Sequence, residues 1–223
     1  MLDSLYIKNF RNLKEFRIGS VDRINLITGK NNTGKSSILE AIAIYASQAD
    51  FSLIFQLLNH RGEDFFRKNY NSTDSKDTTE FAIRSLSAMF TGRNVNFSDE
   101  GTIFIGNITE NKIFPEKNIF LRFVKYYDEI QKNEQGETLR RKIAYINKEE
   151  IFDNSKIGME VGFGDEKILI PLDRERPYRL GFGGFNNRKK FQFIRTATID
   201  RETNGKLFDN IALSEKENMS LML

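Results

Sequence analysis

The stretch Ile24-Asn25-Leu26-Ile27-Thr28-Gly29-Lys30-Asn31-Asn32-Thr33-Gly34-Lys35-Ser36-Ser37-Ile38-Leu39-Glu40-Ala41-Ile42 decides the reading of this chain. Residues 29–36 fit the pattern G-x-x-x-x-G-K-[ST] at every position. A short β-prone run, Ile24 to Thr28, stops at Gly29. Beyond the loop, apolar residues recur at Ile38, Leu39, Ile42, Tyr45 and Ala46, the spacing of a helix with one face on a sheet. Strand, loop and helix in that order are what a phosphate cradle needs. The glycines let the backbone curl until successive N–H groups point inward at phosphate oxygens. The helix that follows aims its first N–H groups and the positive end of its dipole at the same anion.

Each remaining position has a chemical task. Lys35 brings a compact positive charge to the β- and γ-phosphates. Ser36 offers a hydroxyl to Mg²⁺, and Ser37 is placed to bond the α-phosphate. The candidate nucleotide-binding residues are Gly29, Lys30, Asn31, Asn32, Thr33, Gly34, Lys35, Ser36 and Ser37, with Ser36 also the candidate metal ligand. The expected cofactors are ATP and Mg²⁺. A chance match in a chain of this length is about one in a hundred at average residue usage, and the flanking strand and helix lower it further.

The groups that complete a hydrolase are missing from the pattern. A Walker B strand needs several apolar residues ending in Asp or Asp-Glu. Asp99-Glu100 follows Asn96-Phe97-Ser98, Asp128-Glu129 follows Lys125-Tyr126-Tyr127, and Asp165-Glu166 lies in a glycine turn. A GTPase reading also fails. No Asp is followed by Gly three residues later, and Phe114 stands where Asn111-Lys112 would need an acid. A small-molecule kinase is a third reading, but such folds are built from parallel βα units, and the rest of this chain is not.

Working outward, Leu5 and Ile7, then Phe16 and Ile18, alternate with polar neighbours around Asn9-Phe10-Arg11-Asn12, predicting two strands. Phe51 to Phe66 and Glu80 to Phe90 read as helices, with a polar connection from Asn69 to Thr79. From Gly101 on, strands are predicted at Ile103–Ile108, Asn118–Tyr127, Leu139–Ile146, Gly158–Phe163, Lys167–Pro171 and Lys190–Ile194. Turns such as Asn133-Glu134-Gln135-Gly136 and Gly164-Asp165-Glu166 make hairpins the economical connection, so this half is expected to be mostly antiparallel. Arg179 to Asn187 reads as a loop, and a helix begins near Lys206.

Composition sets the outer bounds. With 39% hydrophobic and 29% charged residues the chain is expected to be soluble and globular, and no apolar run is long enough for a membrane helix. There is no cysteine, which suits a cytoplasmic setting, and the one histidine, His60, excludes a multi-histidine metal centre within these residues. The net charge of +3 is mild. Its densest basic runs are Arg140-Arg141-Lys142 and Arg188-Lys189-Lys190, the latter flanked by Phe185, Phe191 and Phe193 as candidate base-stacking rings. The plainer reading of these runs, a solvated loop beside a strand, is the favoured one.

Leu5-Tyr6-Ile7-Lys8-Asn9-Phe10-Arg11-Asn12-Leu13, followed by the stretch from Ile24 to Ile42, resembles the start of ABC-type P-loop ATPases of the RecF, SMC and OLD group. Ile-x-Asn-Phe-Arg on a first hairpin, followed by Asn-x-Thr-Gly-Lys-Ser-Ser, is more specific than the loop alone. A fainter likeness to OLD-like bacterial ATPases covers Phe193-Ile194 and Leu207 to Glu217. The resemblance implies an α/β P-loop NTPase, an ABC-ATPase-like N-terminal lobe with a large antiparallel β-subdomain and a helical insertion. The chain would be a single ATP-binding lobe: 1–48 hairpin, P-loop and first helix, 49–100 helical insertion, 101–200 mostly antiparallel β, and 201–223 the start of a helical segment.

The same resemblance places Arg11 near the phosphates and Asn31 toward the γ-phosphate. It implies a homodimer that sandwiches ATP, hydrolysis only with groups from the missing half or the dimer partner, and a role in DNA repair or phage defence. A different class of reading is a nucleotide-gated binding module that docks DNA, a nuclease or a toxin. The signature, Walker B, D-loop and switch histidine of the family are absent: Leu213-Ser214-Glu215-Lys216 lacks the signature glycine. Near the Q-loop slot, Gln192 lies inside the apparent strand, and Thr196 and Thr198 are the alternative occupants. The chain therefore reads as part of a longer ATPase.

Overall fold

The structure is a computed structural model that describes residues 2–63, 75–109, 112–113, 118–132, 138–146 and 154–173. Strand Lys190–Ile194, the glycine loop after Arg179, the basic run 188–190 and the helix from Lys206 lie outside the described residues, as do the Q-loop candidates.

The first hairpin pairs β1 (Leu5–Phe10) with β2 (Leu13–Ile18), antiparallel, in a register from Leu5 opposite Ile18 to Phe10 opposite Leu13. Arg11 and Asn12 form its tip, and both Asn9 and Arg11 have positive φ, 57° and 53°. Left-handed backbone at a non-glycine residue is uncommon and must be held by its surroundings. Those surroundings are the segment Ala88–Phe90. The Arg11 N–H donates to the Met89 carbonyl at 2.7 Å, and Phe10 bridges to Phe90.

A seven-stranded sheet grows from this hairpin in the order β2-β1-β3-β6-β8-β9, with β3 at Ile103–Gly106, β6 at Ile119–Lys132, β8 at Lys156–Phe163 and β9 at Glu166–Pro171. Every pairing is antiparallel. β6 is long enough to serve several partners. Residues 119–126 pair with β8, while its other edge holds β3 at 119–121 and β7 (Thr138–Tyr145) at 125–132. The mostly antiparallel half expected from the sequence is therefore present through residue 171. The expected strand 103–108 is split: β4 (Ile108–Thr109) leaves the sheet to pair with β5 (Lys112–Ile113).

One sheet face is the core. Leu5, Ile7, Ile103, Ile105, Ile119, Leu121 and Phe123 are fully buried, alternating along their strands as a half-covered sheet requires. Against it lies α1 (Lys35–Ala46) with Ile38, Ala41 and Ile44 buried, and Phe90 sets its ring 5.0 Å from that of Phe123. The opposite face carries polar pairs, among them Arg122 with Glu160 and Asp99. On the β6–β7 hairpin the hydrogen bond from Lys142, above all, holds the Asp128 carboxyl below the usual carboxylate range. The charges of Lys142 and Lys156 add to it, outweighing the partial desolvation.

The helices between β2 and β3 differ from expectation in ways with local causes. α2 spans Phe51–His60, starting at Asp50, whose side chain accepts from the Ser52 N–H at 2.9 Å. It stops short of the expected Phe66 because Gly62, at φ 69°, turns the chain left-handed and bonds back to Asn59. α3 runs Ser75–Ser87, beginning inside the stretch read as a polar connection, with Ala82 and Leu86 fully buried one turn apart. It ends before Ala88 because that segment's backbone is taken by the hairpin tip.

The run Ile24–Thr28 is the clearest departure. It forms no strand; Ile24 and Leu26 are 88% exposed, and the local backbone is organised instead by Asn25, whose side chain exchanges hydrogen bonds with Asp22. A β-prone run becomes a strand only beside another strand, and no described strand pairs with this one.

Candidate nucleotide-binding site

The P-loop and the tip of the first hairpin are built against each other. Gly34 precedes α1 at φ 100°, and a Cβ there would lie 2.9 Å from Leu13 Cδ2 and 3.1 Å from Asn12 Nδ2. Only glycine meets both the backbone angle and the close approach. One residue group further on, the buried Ser37 hydroxyl donates to Asn12 Oδ1 at 2.8 Å. The start of α1 carries no side-chain cap, so its first N–H groups face the loop for an anion to take up.

Within the loop, Lys35 Nζ donates to the carbonyls of Gly29 at 2.7 Å and Lys30 at 2.5 Å, and the Thr33 hydroxyl donates to Lys30 O at 2.8 Å. The lysine thus lies across the curl of its own loop, and a phosphate would take over its ammonium protons. Asn32 takes φ 61°, and Gly29 takes φ 152°.

Asn31, Asn32, Gly34, Lys35, Ser36 and Ser37 line one side of an open cleft of about 970 Å³. Gly29, Lys30 and Thr33 contribute to the loop's internal bonding instead. That volume suits a nucleotide-sized ligand. Ser36 is exposed and lines the cleft, and its hydroxyl is the group that would hold a metal there. No group of three or more acidic, histidine or cysteine side chains among the described residues forms a separate metal cage. A lone hydroxyl beside phosphate oxygens is a donor set that Mg²⁺, a hard and reluctantly dehydrated ion, would accept. Ser37, expected at the α-phosphate, donates its hydroxyl hydrogen bond to Asn12 Oδ1. Its backbone N–H at the helix start is the group left for an anion.

Of the facing wall, only Arg11 was legible beforehand. Arg11, Arg61, Glu63, Ala88, Phe90, Thr91, Gly92 and Arg93 line it. Arg11 lines the cleft, but its side chain is 5% exposed and already engaged. Its Nε lies 2.7 Å from Glu40 Oε2, an ion pair without hydrogen-bond alignment; its Nη1 donates to Glu63 Oε2 at 2.6 Å and to the Ala88 carbonyl at 3.2 Å. Arg61 donates to the other Glu40 oxygen at 2.9 Å, and Arg93 to the other Glu63 oxygen at 3.2 Å. Asn12, Arg61, Glu63 and Arg93 are site residues that sequence spacing missed. The one signal available was the Thr91-Gly92-Arg93 turn, with φ of 69° at Gly92 and 55° at Arg93.

Comparison with known proteins finds a family and several similar chains. An uncharacterized Methanocaldococcus jannaschii protein, MJECL10, is 29% identical over 136 residues, 52% of this chain and 62% of that protein. An ATP/GTP phosphatase of Helicobacter pylori is 50% identical over 42 residues, 19% of this chain and 11% of its own length. The DNA replication and repair protein RecF of Francisella tularensis subsp. novicida is 29% identical over 119 residues, 52% of this chain and 34% of RecF. The matches thus span less than two thirds of each of these relatives. No solved structure matches significantly. No described helix is long and apolar enough to cross a membrane. The profile of the AAA ATPase domain family matches residues 1–219, and the chain belongs to that family, as a RecF/SMC-like P-loop ATPase.

Proposed function

We propose that this chain binds ATP·Mg²⁺ in the P-loop cleft and forms the nucleotide-binding lobe of an ABC-type ATPase, with residues 49–100 as its helical insertion. The observation that carries the reading is the convergence on one cleft of Lys35, Ser36, the uncapped start of α1 and the loop asparagines. Lys35 and the α1 N–H groups hold the phosphates, and Ser36 holds the metal. Mg²⁺, when bound, neutralises phosphate charge and orients the terminal phosphoryl group.

Hydrolysis requires an acid or other group to position water, and the sequence offers no apolar strand ending in such a residue. We therefore assign turnover to groups supplied by another segment or by a second copy across the nucleotide, as in an ATP-sandwich dimer. The exposed Ile24 and Leu26 support this, since the run that feeds the P-loop has the pattern of a strand and lacks a neighbour among the described residues. The likeness to RecF favours DNA repair as the setting, with phage defence the OLD-type alternative, in the cytoplasm. A nucleotide-gated docking module for DNA, a nuclease or a toxin uses the same binding step.

Titration calorimetry of the purified chain with ATP and MgCl₂ tests the binding step, with Lys35→Ala as the control. Turnover is tested by phosphate release: this chain alone is expected to release negligible phosphate. Steady release abolished by Lys35→Ala would refute the assignment of hydrolysis to outside groups.

A further inference from the structure

Five charged side chains form one alternating row: Arg61–Glu40–Arg11–Glu63–Arg93, with closest contacts of 2.9, 2.7, 2.6 and 3.2 Å. The side chains of its three middle members are 1–16% exposed, whereas those of the terminal arginines are 30% and 57% exposed. Each carboxylate divides its oxygens, one to the buried Arg11 and one to an outer arginine. The row thus has a buried keystone and two cationic ends, and both ends line the P-loop cleft.

We propose that Arg93, supported by Arg61, is a second anion-reading wall of the nucleotide cleft that contacts the terminal phosphate of a nucleoside triphosphate, with Glu63 and Glu40 as positioning residues. The proposal rests on the nucleotide-binding reading of the P-loop. Charge supports it. Lys35, Arg11, Arg61 and Arg93 line the cleft, and against them stand the carboxylates of Glu63 and of Glu40 behind it, two positive charges in excess. A structural ion-pair network has no need of such an excess; a triphosphate does. Guanidinium geometry adds to this, because Arg93 spends part of a five-donor fork on Glu63 and retains N–H groups for a phosphate, which it grips in bidentate fashion. Backbone supports it too. Arg93 is held at φ 55° directly after Gly92 at φ 69°, a left-handed turn in which a non-glycine residue is strained. Strain of that kind is kept where a side chain must be aimed.

The test is the affinity of the whole chain for ATP and for ADP, each with Mg²⁺, measured by calorimetry, together with melting temperature. The proteins are the wild type, Arg93→Ala, Arg93→Lys and Arg61→Ala. Arg93→Ala is expected to weaken ATP about tenfold or more while changing ADP less than about twofold, at a nearly unchanged melting temperature. Arg93→Lys is expected to recover part of the loss, having the charge but not the fork, and Arg61→Ala to weaken ATP by a smaller factor. Unchanged ATP affinity in Arg93→Ala, or equal loss for ATP and ADP, would overturn the proposal while leaving the P-loop reading intact. A wild type that binds neither nucleotide would overturn both.

Discussion

The Ser37 hydroxyl donates to Asn12 Oδ1 at 2.8 Å, tying the tip of the first hairpin to the first turn of the P-loop helix. This contact explains why two motifs 25 positions apart occur together: the hairpin tip is the surface on which the loop's glycine and helix start are seated. Ser37→Ala and Asn12→Ala are each expected to cost about 1 kcal/mol, the usual net value of such a bond. The double variant should cost clearly less than the sum, and chemical denaturation of all four proteins reads that coupling.

Gly34 carries the second prediction. A methyl group there meets Leu13 Cδ2 at 2.9 Å, on a backbone at φ 100°. Gly34→Ala should destabilise the chain by about 1–3 kcal/mol and lower ATP affinity with it, because loop and hairpin must part to make room. A melting curve and a nucleotide titration on the same sample check both effects.

Arg11 is the third. Its loss leaves the buried Glu40 carboxylate and the largely buried Glu63 without their shared cation. Arg11→Ala is expected to cost about 3–5 kcal/mol, the scale for breaking a buried pair from one side. The paired removal Arg11→Met with Glu40→Gln should be milder than Arg11→Ala, which equilibrium unfolding would show.

A fourth concerns acid. Asp128 is held below the usual carboxylate range, chiefly by the hydrogen bond from Lys142. A depressed carboxyl stabilises the fold above its unfolded pKa, about 3.9, and that stability fades as pH falls through the lower, folded value. Asp128→Asn should therefore lose stability at neutral pH and show a smaller further loss on acidification below about pH 4. Partial exposure keeps the effect small.

How much of this was legible in the sequence depends on whether the partner of each residue is local. β1 and β2 follow from alternation around a short tip, and the P-loop from fixed positions within eight residues, because hairpin and cradle close on themselves. The end of α2 turned on Gly62, a single left-handed residue inside an apolar pattern that continued to Phe66. Ile24–Thr28 has the composition of a strand, yet strand formation depends on a neighbour that alternation does not supply. Apart from Arg11, the cationic wall was invisible for the same reason on a larger scale. Arg11 and Glu63 are 52 positions apart, and only the meeting of hairpin, α1 and the end of α2 makes them partners.

The most direct test of the central claim is a calorimetric titration of the wild type and Lys35→Ala with ATP in MgCl₂. Saturable 1:1 binding by the wild type is expected, with affinity reduced about a hundredfold in Lys35→Ala, as loss of a charge-assisted contact to phosphate implies. Equal binding by both proteins, or none by a folded wild type, would contradict it.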